Sequence, residues 1–414
     1  MEILGHIPAG WKACRIKNLL KERTARSSDG NETLLMMSQI HGLVVRSEFH
    51  AKAEAAASAV GHKLVDEGDL VFNKLKPHLG VFFKSTLANT GCVSGDYAVY
   101  KPRHSVDTKI FEYLFRSPQY LREFICRATG VVEGLVRLYT DDLFDIPIAI
   151  PPPEELSAIL AFLDDKTAKI DEAIAQKERM IKLLQERKQI LIQTAVTKGL
   201  DPNVPMKDSG IDCIGEIPAH WEFSANASLF RERKEPGLAE LPILTVSIHS
   251  GVSENELSDE ENDKGKVRIQ DRTSYSRVYP GDVAFNMMRA WQGGIGCVRV
   301  DGMVSPAYIV GAPTSKFESE YFELQYRLPG MIGEMNRWSK GITDFRKRLY
   351  WDEFKSIRTL MPPLGEQTAI VSFVHEKSEQ IDGSASSLGD QIAHLKELRA
   401  TLIDSAVTGK IKVT

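Results

Sequence analysis

The side chains best suited to chemistry are basic, amide and aromatic residues gathered in short, loop-like stretches. One stretch runs Asn73-Lys74-Leu75-Lys76-Pro77-His78, directly after the apolar segment GDLVF. Its counterpart is Asn286-Met287-Met288-Arg289-Ala290-Trp291-Gln292, after GDVAF. A second place is Arg346-Lys347-Arg348, answered elsewhere by Arg137 alone, and a third is Lys264, Lys266, Arg268 and Arg272. Lys and Arg pair with phosphates or read guanine edges, and Asn and Gln read adenine. A basic run taken singly is as often a solvated surface, so the weight falls on loops that recur at matched positions. The candidate nucleic-acid contacts are Asn73, Lys74, Lys76, His78, Arg137, Asn286, Arg289, Trp291, Gln292, Arg346, Lys347 and Arg348.

No catalytic constellation accompanies these loops. The stretches IPPPEE (150–155) and MPPL (361–364) lack the Asn/Asp and the aromatic residue of an amino-methyltransferase motif. TGKIK (408–412) has no upstream glycine at phosphate-loop spacing, and GGIGC (293–297) is a lone glycine cluster. Glu353-Phe354-Lys355 is a fragment of a nuclease pattern, but its counterpart in the first copy has no lysine. Cys14, Cys92, Cys126, Cys213 and Cys297 are scattered and never form a CxxC pair, so no zinc site is expected and a reducing cytoplasm fits. The formal net charge of −4 argues mildly against nucleic-acid binding, although net charge reports only a sum and basic residues can share one face. No apolar run has the length of a membrane span, and the opening MEILGHIPAGW lacks the pattern of a secretory signal.

The elements that position the loops occur twice. PPPEELSAILAFLDDKTAKID (151–171) returns as PPLGEQTAIVSFVHEKSEQID (362–382). GHIPAGW (5–11) returns as GEIPAHW (215–221), GDLVFN (68–73) as GDVAFN (281–286), and GCVSGDYAV (91–99) as GMVSPAYIV (302–310). FEYLFRSP (111–118) returns as FELQYRLP (322–329), and RLYTDDLFDI (137–146) as RLYWDEFKSI (348–357). This is a duplicated half-molecule with pseudo-two-fold character, not a short solenoid repeat. The stretches 24–64 and 234–277 diverge most, and divergent surface is free to take different specificities.

Residues 154–198 hold no Gly or Pro and are rich in helix formers, with prolines before and Gly199 after. A seam of alternating steps of three and four passes through Leu163, Ile170, Ile174, Ile181, Leu184 and Leu191, interrupted by Lys177 and Lys188, where imperfect packing is expected. The second copy, about 366–408, carries Val374, Ile381, Leu388, Leu395 and Leu402, with Gly383 and Gly389 as local weak points. Neither stripe is stable exposed, so the two helices are expected to pack on each other, antiparallel, as a rod between two domains. β-rich runs and short helices over 110–128 and 319–338 make the rest an α/β mixture. The expected architecture is two α/β (α+β) domains, 1–150 and 201–361, with long coiled-coil helices at 151–200 and 362–414.

The ordered motifs, GEIPAHW after DSGID, GD-x-x-F-N, V-S-P-x-Y-x-V, and PP-x-x-EQ-x-x-I opening a long helix, resemble the specificity subunits of type I restriction-modification systems. The resemblance spans essentially the whole chain. It implies two target recognition domains, each reading half of a split, asymmetric sequence in double-stranded DNA, with the helices setting the gap. It implies that this chain is not catalytic and binds no cofactor. Two modification subunits would bind S-adenosylmethionine and methylate adenine, and two restriction subunits would use ATP and Mg. No membrane partner is implied, and the location would be cytoplasmic. The competing class is a coiled-coil adaptor without DNA contact, against which the matched basic loops count.

Overall fold

In the computed structural model, every residue is described except 1–3, 6, 39–40, 50–58, 105, 130–135, 212–213, 257–271, 342–345 and 414. The basic residues Lys264, Lys266 and Arg268, and Cys213, therefore lie outside the described residues. The chain divides into two compact units, Met1–Glu178 with Leu388–Thr414, and Arg179–Ser387.

In the first unit the central sheet is antiparallel, in the order Leu20–Glu22, Tyr97–Pro102, Leu70–Asn73, Phe82–Lys84. Leu70, Val71 and Phe72 are all fully buried because both faces of this sheet are covered. Successive side chains of a strand point to opposite faces. Leu70 and Phe72 thus join Phe111, Phe115 and Phe124 on the helical side. Val71 joins Leu35, Val65, Val93 and Val99 on the side of a second sheet. That second sheet runs Gly42–Val45, Thr33–Ser38, Gly91–Val93, Lys63–Val65.

The second unit repeats the plan. Its central sheet runs Phe230–Glu232, Tyr308–Pro313, Val283–Asn286, Ile295–Cys297. Val283 and Phe285 face Phe322, Tyr326 and Phe354, while Ala284 faces Leu244, Val278, Val304 and Val310. The Gly-Asp pair ahead of each central strand is more than a turn. Gly68 and Gly281 take left-handed φ of 81° and 92°, which only glycine adopts without strain. Asp69 and Asp282 turn inward and receive Nε of Arg23 at 2.6 Å and of Arg233 at 2.8 Å. Burial holds both carboxyls above the ordinary aspartate range in spite of these arginines.

The helices expected over 110–128 and 319–338 are each two helices. They span Lys109–Leu114 with Pro118–Arg127, and Ser319–Tyr326 with Pro329–Trp338. Pro118 and Pro329 lack the N–H needed inside a helix but suit the first turn of a new one, so they divide each segment.

The long helices are Pro153–Lys198 and Leu364–Val407, and Gly199 ends the first in the left-handed conformation. In the first unit their segments run antiparallel: Asp171 pairs with Arg399 at 3.0 Å, and Lys177, six residues on, donates to Gln391, eight back, at 2.7 Å. Leu163, Ile174 and Ile392 are buried here, with Ile170, Leu388, Leu395 and Leu402 half-buried. In the second unit Lys188 pairs with Asp382 at 2.6 Å. Val374 is buried beside it and Ile181, Leu184, Leu191 and Ile381 are half-buried. The two seam lysines are not left without partners. Each snorkels to the seam edge and finds an acceptor on the facing helix.

Each domain grips its helices by the same device. Trp11 donates its indole N–H to Glu155 at 3.1 Å and packs among Leu156, Leu160, Ile403, Ala406 and Val407. Trp221 donates to Glu366 at 2.9 Å and packs among Ala195, Val196, Ile370, Val371 and Val374. The repeated I-P-x-x-W and P-P-x-x-E motifs are therefore two halves of one clasp.

Candidate nucleic-acid interface

The loop after each central strand is fixed by its own first residue. The Asn73 side-chain oxygen accepts the Leu75 N–H at 3.0 Å, and that of Asn286 accepts the Met288 N–H at 3.0 Å. These are side-chain-to-backbone turns of the kind asparagine favours. A short 3-10 turn follows, Pro77–Leu79 or Ala290–Gln292, and Gly80 or Gly293 closes it with positive φ. Asn73 and Asn286, read from the sequence as base-contacting amides, thus have their carbonyl oxygens committed to building the loop, and Asn286 is buried.

The second basic segment of each domain docks on this loop. In the first unit the Leu138 N–H donates to the Lys74 carbonyl at 3.1 Å, which brings Arg137 beside Lys74. In the second the Leu349 N–H donates to the Met287 carbonyl at 2.9 Å, which brings Arg346, Lys347 and Arg348 beside Met287–Gln292. The Lys347 ammonium stands 5.5 Å above the Trp291 ring and donates to Asn336 at 2.8 Å. Both segments are tied to the preceding chain by an antiparallel bridge, Thr129 with Arg137 and Lys340 with Arg348. Segments whose joined residues lie 64 apart in the first unit (Lys74 and Leu138) and 62 apart in the second (Met287 and Leu349) thus form one surface in each.

Side chains on that surface differ in freedom. Lys76, His78, Arg289, Gln292 and Arg346 are exposed, while Lys74, Arg137, Trp291, Lys347 and Arg348 are half-buried. Arg137 pairs with Asp96 at 3.3 Å, in the loop that occupies the place of Pro306-Ala307 in the second unit. The Trp291 indole N–H donates to the Met288 carbonyl at 3.0 Å, leaving the ring, not the N–H, for contact. Arg272 is a structural residue here: it binds Glu256 at 3.0 Å and the Leu241 carbonyl at 3.0 Å. Glu353 pairs with Lys340, and Lys355 with Asp352, so the nuclease-like triplet is split between two separate ion pairs.

Sequence reasoning passed over Tyr139 and Tyr350, the tyrosines of RLYT and RLYW. They are 48% and 47% exposed, large aromatic rings held at equivalent places next to the basic loops. Their recurrence in the repeated motif was the available signal.

Comparison with known proteins finds likeness in sequence and in fold. No family model matches the chain. It is 22% identical over 336 residues to the type I restriction enzyme EcoKI specificity subunit of Escherichia coli (strain K12), spanning 76% of this chain and 68% of that protein. A solved chain described under complex assembly and conformational transition of the type I R-M system superimposes with a TM-score of 0.66 at 16% identity, covering 98% of this chain and all of that one. The HsdS subunit from Thermoanaerobacter tengcongensis superimposes with a TM-score of 0.57 at 16% identity, covering 98% of both. The chain has the fold of those structures over nearly its whole length. Among the described residues no helix is long and apolar enough to cross a membrane.

Proposed function

We propose that this chain belongs to the specificity subunits of type I restriction-modification systems, and that each domain reads one half of a split, asymmetric DNA sequence. The observation that carries this reading is the loop pair. Both units build the same Asn-anchored loop, dock a second basic segment on it, and then furnish it with different side chains. A common frame with different contents is what a chain reading two different half-sites requires. A coiled-coil adaptor without DNA contact would have no use for matched basic loops.

In this reading the chain supplies recognition and no reacting group. Adenine methylation from S-adenosylmethionine falls to two modification subunits, one for each repeat, and ATP- and Mg-dependent cleavage falls to two restriction subunits. The outer faces of the long helices are the docking surface for the modification subunits. Met180, Leu183 and Ile190 stand there 51%, 53% and 65% exposed, away from the seam.

The test is co-expression with a type I modification subunit in a host without adenine methylation, followed by genome-wide mapping of methylated adenine. The expected result is one bipartite, asymmetric motif, absent when either chain is expressed alone. Methylation scattered without a motif, or a motif unchanged when this chain is omitted, would sink the proposal.

A further inference from the structure

The two loops share a backbone but differ at their second residue. Lys74 and Met287 follow the anchoring asparagine, and each gives its carbonyl to the docked segment, from Leu138 or Leu349. With the carbonyl fixed on one side and the asparagine turn on the other, the direction of this side chain is set alike in both units. What it meets is different.

Around Lys74 the surroundings are ionic. Glu22 is taken by Lys63 at 3.3 Å and Asp96 by Arg137 at 3.3 Å. Among the described residues nothing accepts a hydrogen bond from the Lys74 ammonium, although it is half-buried. Desolvation, with the neighbouring Lys63 and Arg137 charges, pulls its pKa below the ordinary lysine value. Its donors are held by no described protein group and stay available to an arriving acceptor. Around Met287 the surroundings are mixed. It lines a cleft of about 550 Å³ whose wall joins Pro306, Ile309, Tyr350 and Trp351 to the charged Lys234 and Asp352. In the first unit the places of Pro306 and Trp351 are taken by Gly95 and Thr140.

We propose that residues 74 and 287 are the matched discriminating positions of the two domains: Lys74 donates to the N7/O6 edge of a guanine, and the apolar Met287 side chain, on the wall of its cleft, receives the methyl group of a thymine. The inference rests on the DNA-reading role proposed above and adds the chemical class of base that each domain selects. Lysine to guanine and an apolar side chain to the thymine methyl are the pairings that groove geometry favours. Lys76 and Arg289, both exposed two residues further on, are left to hold phosphates, which position without selecting.

The experiment uses the full chain assembled with its modification subunit and a pool of duplexes randomised over both half-sites. Wild type is expected to select a guanine at one position of the first half-site and a thymine at one position of the second. Lys74→Met should relax the guanine by about fivefold to a hundredfold and leave the second half-site unchanged. Lys74→Arg should keep the guanine, which also controls for folding. Met287→Lys should turn the thymine preference toward guanine without touching the first half-site. If Lys74→Met lowers affinity equally for all sequences, the residue holds a phosphate and the inference is overturned while the reading of DNA stands. A wild-type complex that selects no sequence overturns both.

Discussion

Removing one hydrogen bond from one clasp should loosen one unit and leave the other intact. Trp221→Phe deletes the indole N–H that Glu366 accepts at 2.9 Å. The ring is fully buried, and its benzo edge lies 3.2 Å from where a side chain on Gly199 would begin, so phenyl leaves a void against the end of the first long helix. Glu366 keeps its contact with His220 at 2.7 Å, but that pair is roughly 40% exposed and worth little. A hydrogen bond to a charged acceptor contributes about 1.5–3 kcal/mol, and the lost apolar contacts add about 1 kcal/mol. The total is about 3 kcal/mol, or about 150-fold in an opening equilibrium.

Native-state hydrogen exchange of the full chain reads this by segment. Amides over 184–198 and 366–378 should exchange about a hundredfold faster, while those over 156–174 and 392–407 keep wild-type rates. Glu366→Gln, which retains an acceptor but not its charge, should cost less. Trp11→Phe should show the reverse pattern, since Trp11 holds Glu155 and the other pair of helix ends. Equal acceleration in both units, or none in either, would refute the view that each clasp secures its own unit.

Gly383→Ala and Gly389→Ala should each raise stability by about 1 kcal/mol in urea unfolding, because both lie inside a helix with nothing within 4 Å of an added Cβ. A loss of stability at either would show that the helix surface there is already packed. Seven residues inserted into both long helices, between Lys177 and Lys188 and between Asp382 and Gln391, should lengthen the gap between half-sites by about three base pairs with the half-site bases unchanged. Insertion into one helix alone should instead unfold the seam, since the antiparallel pairs would slip past each other; an unchanged gap in the double insertion would refute the helices as a spacer.

Much of this fold is legible in the residues because the repeats expose it. Helix-forming residues over 154–198, fenced by Pro151–Pro153 and Gly199, leave little alternative to a long helix. The strands of GDLVFN and GDVAFN follow from three successive apolar residues after a Gly-Asp turn. Two features were readable and passed over. Pro118 and Pro329 state where each short helical segment divides. An asparagine at the end of a strand states an Asx turn as readily as a base contact. The convergence of Arg137 on Lys74, and of Lys347 on Trp291, was not readable. It depends on two backbone hydrogen bonds, Leu138 to Lys74 and Leu349 to Met287, between segments with no complementary pattern of their own.

The compact units also do not follow the repeats, and the reason lies in a third repeated motif. LIQTAVT (191–197) closes the first long helix and LIDSAVT (402–408) closes the second. Ala195 and Val196, from the first repeat, pack on Trp221 of the second. Ala406 and Val407, from the second repeat, pack on Trp11 of the first. Each domain is therefore completed by the helix end of the other copy. A sequence repeat ends at Gly199, but a buried core does not: without Ile403, Ala406 and Val407, the first unit would expose Trp11, Leu156 and Leu160 to water. Burial of that apolar face binds the two halves of the chain into one folding problem. It also leaves the two basic loops free to differ, because the pieces exchanged between copies are the helix ends and the clasps, which both copies keep.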